Sequence, residues 1–366
     1  MDKFTKKWLF ILLFTVAASF GISVAFAFMA EEKNEELAQK SPRVHYSSDD
    51  IYERIVSGLE AFESITFHDS RLNDRDIKEA VKKVEFYHPE FFWLDSYSIV
   101  TSSANDDTTL NFMGVGDYSD DAIKEMYDTL IAAADRIIEQ IPAGYDDYQK
   151  ALFVHDYIVD NTRYSSEHAG KGVNGLWGTA YGCLVQGDAI CQGYAEAYQL
   201  VLKRMGIECG VCSGDSINGP HAWNYVSING QYYWVDTTWD DPESENDDGN
   251  LRHDYFLIND ELLERTRTIE EGQVFVPSCD SMADNYHVRN GSYLEAFDIN
   301  AIGNILAANA SSRKAEMMFG SEEAYQEALE RLFAESEIWS LSAYVSLNEQ
   351  ISYSNDDNMH ILIINF

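Results

Sequence analysis

Two strand-length apolar segments, Ala222–Ile228 and Gln231–Thr238, are separated only by Asn229-Gly230. An Asn-Gly pair in that setting is a strong hairpin signal, because a two-residue turn with positive φ at both positions matches the twist of the flanking strands. The turn also sets the register. His221 then faces Thr238, and Asp236 faces Trp223. His221 and Asp236 thereby share one sheet face as diagonal neighbours, roughly 7–8 Å apart at the backbone, within reach of an imidazole–carboxylate hydrogen bond. A bulge or a three-residue loop would break this parity.

Upstream, Asp188-Ala-Ile-Cys191-Gln-Gly193 leads into Tyr194, Tyr198, Val201, Leu202 and Met205, an apolar stripe at helical spacing that stops at Gly206. Cys191 therefore opens a helix, where the macrodipole and unpaired backbone N–H groups favour thiolate over thiol. The N–H groups of Cys191 and Gln192 point where an oxyanion would develop in acyl transfer. Gly193 would let a substrate backbone come close, and Tyr181 is a candidate further donor or a packing aromatic. Taken alone, the stretch reads rather as a small buried thiol at a helix start. The hairpin changes the balance: a histidine able to take the thiol proton, and an aspartate able to fix its tautomer, complete a nucleophilic constellation. Trp223, across from Asp236, would shield the pair from water.

The order Ala189-Ile-Cys191-Gln-Gly-Tyr-Ala, His221-Ala-Trp-Asn and Tyr233-Trp-Val-Asp236-Thr-Thr-Trp-Asp-Asp-Pro resembles the transglutaminase-like superfamily of papain-like cysteine enzymes. Tyr255-Phe-Leu-Ile-Asn-Asp260 adds to the likeness, which covers about 145–260. The resemblance implies an α+β fold with the nucleophile helix packed on an antiparallel sheet, preceded by a smaller α+β region. It further implies Cys191 as nucleophile, His221 as base and Asp236 as orienting acid. The acyl acceptor stays open, since such folds serve proteases, amide hydrolases, amine transferases and non-catalytic scaffolds. Hydrolysis of peptide or side-chain amides is the expectation, with a non-catalytic surface module as the alternative.

At 366 residues, with 45% hydrophobic and 13% aromatic content, the chain can bury one large core or two smaller ones. Its formal net charge of -36 argues against nucleic acid as a partner and against any membrane contact except through the N-terminus. There Lys3, Lys6 and Lys7 precede an uncharged run from Trp8 to Ala30, followed by Glu31, Glu32, Glu35 and Glu36. That pattern reads as a signal peptide or an uncleaved anchor over 1–30, placing the body outside the cytoplasm, secreted or membrane-anchored. A cell-surface or cell-wall peptide is the expected substrate partner. A tether at 31–45, an N-terminal region at 46–140, the core at 141–290 and a C-terminal α/β extension at 291–366 complete the expected organisation.

No metal or other cofactor is expected. Cys209-Gly-Val-Cys212 lacks a second pair at zinc spacing and lies in a strand-like run. His155 reads as a packing residue of a helix over 147–161, Cys183 as structural, and the acidic run 240–250 as a solvated loop without EF-hand order.

Overall fold

The computed structural model describes residues 46–366 apart from 70–71, 95, 114–117, 173–174 and 242–250. The expected leader and tether, and most of the acidic run, lie outside these residues. Among the described residues no helix is long and apolar enough to cross a membrane. The chain divides into two units, one of residues up to 81 with 96–113, the other of 82–95 with 114–366.

In the smaller unit Ser47 caps helix α1 (Ser48–Ala61) through a reciprocal capping box with Asp50. Ile51, Ile55 and Leu59, four residues apart, form its buried stripe. A Cβ at Gly58 would sit 2.2 Å from Ile65, so the helix can approach β1 (Ile65–Phe67) only with glycine there. β1 pairs with β3 (Asp107–Met113), which pairs in turn with β2 (Ser96–Ser102), all antiparallel.

Helix α2 (Asp74–Tyr87) ends ahead of Pro89. Phe91-Phe-Trp-Leu after it reads as a strand by composition, yet it forms turns, with Phe91 N–H donating to the carbonyl of His88 and Leu94 N–H to that of Phe91. The three aromatics pack on one another instead of joining a sheet, and Trp93 sets its edge on Tyr127.

The larger unit is built on helices α3 (Asp120–Gln140), α4 (Asp147–Asn161) and α5 (Cys191–Arg204). Two short parallel strands, β4 (Arg163–Tyr164) and β5 (Asp188–Ala189), fix the chain entering α5. An antiparallel sheet of β6 (Cys209–Ser216), β7 (Gly219–Ile228), β8 (Gln231–Val235), β9 (Phe256–Ile258) and β10 (Arg267–Ile269) runs in the order β10-β6-β7-β8-β9. α5 packs on β6 and β7. Tyr194, Tyr198, Val201 and Leu202 are buried, Tyr198 Oη donates to the carbonyl of Ala151 on α4, and Asn224 Nδ2 donates to the carbonyl of Ala195.

Past Asp260 the chain adds a second layer. β12 (Lys314–Phe319) pairs with β14 (Ile361–Asn365), with β11 (Tyr293–Leu294) and β13 (Ser352–Asp356) at the edges. β14 is buried on both faces, and its alternation divides two cores. Leu362, Ile364 and Phe366 pack with helices α6 (Ile299–Ala308) and α7 (Glu322–Leu329), while Ile361 and Ile363 pack with Trp234, Tyr255 and Ile258 of the first sheet.

Candidate active site

The β7–β8 turn has Asn229 at φ 53° and Gly230 at φ 78°, the geometry that an Asn-Gly hairpin demands. Asn224 pairs with Val235 and Ile228 with Gln231, so the register is the one that the two-residue turn dictates. β8 ends at Val235, and Asp236 bends off its end with its N–H donating to the carbonyl of Tyr255. His221 Nε2 and Asp236 Oδ2 are 2.7 Å apart, both side chains nearly fully buried.

Cys191 is the first residue of α5, and Ile190 before it supplies no side-chain cap, which leaves the opening N–H groups of the helix without a side-chain acceptor. Ile190 is itself held by its N–H to the carbonyl of Trp177, and Ala189 by Ser165 N–H donating to its carbonyl. This tethering holds the thiol within electrostatic reach of His221. Nε2 being on Asp236, Nδ1 is the ring's remaining nitrogen. Burial works against a charged His221 ring, but the Asp236 carboxylate and then the Cys191 thiol outweigh it and hold the imidazole up at about 9. For Asp236, burial likewise opposes charge; His221 and Arg267 overcome it and keep the carboxyl well below the usual carboxylate range.

Arg267 was not foreseen. Its side chain is fully buried on β10, and both Nε, at 3.1 Å, and Nη2 donate to Asp236 Oδ2. Its guanidinium lies 3.9 Å from the ring centroid of Trp239 and 4.5 Å from that of Tyr255. Asp236 Oδ1 accepts from the N–H groups of Thr238 and Trp239, both at 3.1 Å. The carboxylate is thus fixed at both oxygens, with two cationic partners on one of them. An arginine alternating with threonines in Arg265-Thr-Arg267-Thr, within a strand-length run, was the available signal.

The accessory residues divide. Trp223 lies against the His221 ring at 6.0 Å, nearly parallel, and Trp239 lies 5.5 Å away at 42°, so two indoles flank the imidazole. The side chain of Gln192 donates to Glu196 Oε1. The fold requires glycine at 193: a Cβ there would lie 2.8 Å from the carbonyl oxygen of Thr179 and 2.9 Å from that of Trp177. Tyr181 packs on Phe92 with centroids 5.1 Å apart, a packing aromatic. All five cysteines are free thiols; Cys183, Cys209, Cys212 and Cys279 are buried, and burial pushes the thiols of Cys183 and Cys212 up to about 12. Cys191 alone among them is partly open. Beside His221 a cleft of about 380 Å³ is lined by Tyr164, Ser216, Asn218, Thr238, Trp239 and Asp241. A larger cavity of about 720 Å³ lies elsewhere, against His253 and Glu316.

Residues 132–237, which hold Cys191, His221 and Asp236, match the model of the Transglutaminase-like superfamily. Among solved structures, one described as a TGase is 15% identical with a TM-score of 0.28, over 50% of this chain and 53% of that one. A Cytophaga hutchinsonii protein provisionally described as a cysteine protease is 14% identical with a TM-score of 0.25, over 39% of this chain and 61% of that one. This chain therefore spans about half of the first and three fifths of the second. No curated protein matches.

Proposed function

We propose that this chain, with its transglutaminase-like core at 132–237, is a thiol enzyme that cleaves amides through an acyl-thioester. The observation that carries this reading is the His221–Asp236 hydrogen bond, with Asp236 fixed at both oxygens and the Cys191 thiol close enough to favour the charged ring. Sulfur attacks the carbonyl carbon with its proton already on His221, which Asp236 holds as imidazolium near neutral pH. The C–N bond then breaks as the same proton passes to the leaving amine. Opening N–H groups of α5 face the developing oxyanion. Water, activated by the now neutral imidazole, attacks the thioester and regenerates the thiol.

Hydrolysis is favoured over amine transfer, because the cleft at His221 is polar and open, through Ser216, Asn218, Thr238 and Asp241, and brings water to the imidazole that would activate it. The lysine-flanked apolar run 3–30 supports action outside the cytoplasm on surface peptides. The test is a panel of peptides with internal and glutamine side-chain amides, incubated with and without a primary amine and read by mass spectrometry and ammonia release. Cleaved peptide or deamidated glutamine that persists in excess amine supports a hydrolase. Amine-adducted glutamine makes it a transferase. No turnover of any amide, with an alkylatable Cys191, turns the reading to a non-catalytic module.

A further inference from the structure

Outside the lining of the cleft, a second set of imidazoles and carboxylates converges, and the proposed chemistry does not use it. His155 on α4 and His253 ahead of β9 turn one ring nitrogen each toward the same oxygen, Asp156 Oδ1: Nδ1 of His155 at 2.9 Å and Nε2 of His253 at 3.1 Å. These three atoms all lie within 4.8 Å of one another, the one such His/Cys/acid grouping among the described residues. Each ring's other nitrogen meets a second carboxylate: His155 Nε2 is 3.0 Å from Asp240 Oδ2, and His253 Nδ1 is 3.4 Å from Glu316 Oε2.

We propose that His155 Nδ1, Asp156 Oδ1 and His253 Nε2 bind a divalent transition-metal ion of the zinc class, with Asp240 and Glu316 orienting the two imidazoles from outside. Three observations support this assignment. Two imidazoles and one carboxylate form a donor set suited to zinc, cobalt or nickel rather than to calcium or magnesium, which take oxygen ligands. A carboxylate on the far nitrogen of each ring is the outer arrangement that metal-bound histidines adopt, because it fixes the tautomer and raises ligand basicity. His253 and Glu316 line the 720 Å³ cavity with Tyr286, Ser292 and Lys314, so the cavity borders one of the three donor residues. Charge balances as well, since one divalent ion replaces the two ring protons that otherwise lie between nitrogen and carboxylate.

The rival arrangement is the same cluster carrying those two protons and no metal. The ion would tie α4 to the segment that follows residues 242–250. It would also reach the catalytic turn, because Asp240 N–H donates to the carbonyl of Asp236.

The test uses the full chain carrying Cys191→Ser, so that the cleft thiol does not capture metal, stripped with EDTA and desalted. Titration with Co²⁺ alone is expected to give one bound ion with the visible absorption of four-coordinate cobalt and no thiolate charge-transfer band. Zn²⁺ should displace it and raise the melting temperature. Glu316→Gln should weaken binding roughly 10- to 100-fold. His253→Gln and Asp156→Asn, each checked for a native circular dichroism spectrum, should abolish the cobalt absorption. Absent binding, a sulfur-ligated spectrum, or binding unchanged in whichever of these variants folds would overturn the proposal and leave the proton-linked cluster.

Discussion

The molecule holds two histidine–carboxylate assemblies, and the number of carboxylates on each ring separates them. His221 has a carboxylate on Nε2 alone, with the Cys191 thiol within electrostatic reach, and it borders an open cleft. His155 has carboxylates on both nitrogens and no exposure at all. The first arrangement can pass a proton between sulfur and substrate. The second can only share protons among acids or surrender them to a metal ion. Their anchoring differs too: Asp236 is held by two backbone amides and an arginine, whereas Asp156 is held by the two imidazoles themselves. Only three residues separate Asp236 from Asp240, so one turn serves both.

The sharpest division of the two is by Cys191→Ser, which should lower kcat/KM on any amide substrate by about 10⁴-fold or more. His155→Gln, by contrast, should leave the Cys191 chemistry within about tenfold while lowering the unfolding midpoint in urea, because it strands Asp240 in the interior. Equal losses of activity in the two variants would dissolve the distinction. Next in size is Asp236→Asn, which keeps the shape but removes the charge and the tautomer control; a drop of roughly 10³- to 10⁴-fold in kcat is expected.

Arg267→Met should cost about 3–5 kcal/mol of stability in denaturant titration, since it removes one partner from a buried ion pair. It should also move the basic limb of the pH–rate profile upward, because a cation near the imidazolium is gone. A purely structural arginine would change the first quantity and not the second.

The smallest effect is in the pH dependence of stability. The folded His221 imidazole titrates at about 9, above its unfolded value of about 6.5. Its contribution is therefore fully present below pH 6.5 and is lost as pH rises through 9, up to roughly 3 kcal/mol in all. Urea midpoints measured from pH 6 to 10 should show that decline in the parent and a shallower one in His221→Asn.

What could be read from the chain followed sequence distance. Asn229-Gly230 fixes a register over a dozen residues, so the His221–Asp236 pairing was available before any coordinates. Cys191 at the start of α5 was equally local, a matter of one stripe and one stop at Gly206. Arg267 lies 31 residues past Asp236 in sequence and reaches it only because β10 pairs with β6 across the sheet from β8. His155 and His253 meet across nearly the whole core, and as a lone helical histidine the former gave no sign of its partner. Phe91-Phe-Trp has strand composition, but the turn after Pro89 leaves it no neighbouring strand. Gly193 was legible as a close-approach glycine; only packing shows that the approaching backbone is the chain's own.

The most direct measurement is alkylation of the full chain by iodoacetamide from pH 5 to 9, with labelled cysteines mapped by mass spectrometry in the parent, His221→Ala and Asp236→Asn. An assembled thiol–imidazole–carboxylate site predicts that Cys191 labels first of the five and slows in both variants. A Cys191 that labels only as an ordinary thiol does, at the same rate in all three proteins, would contradict it.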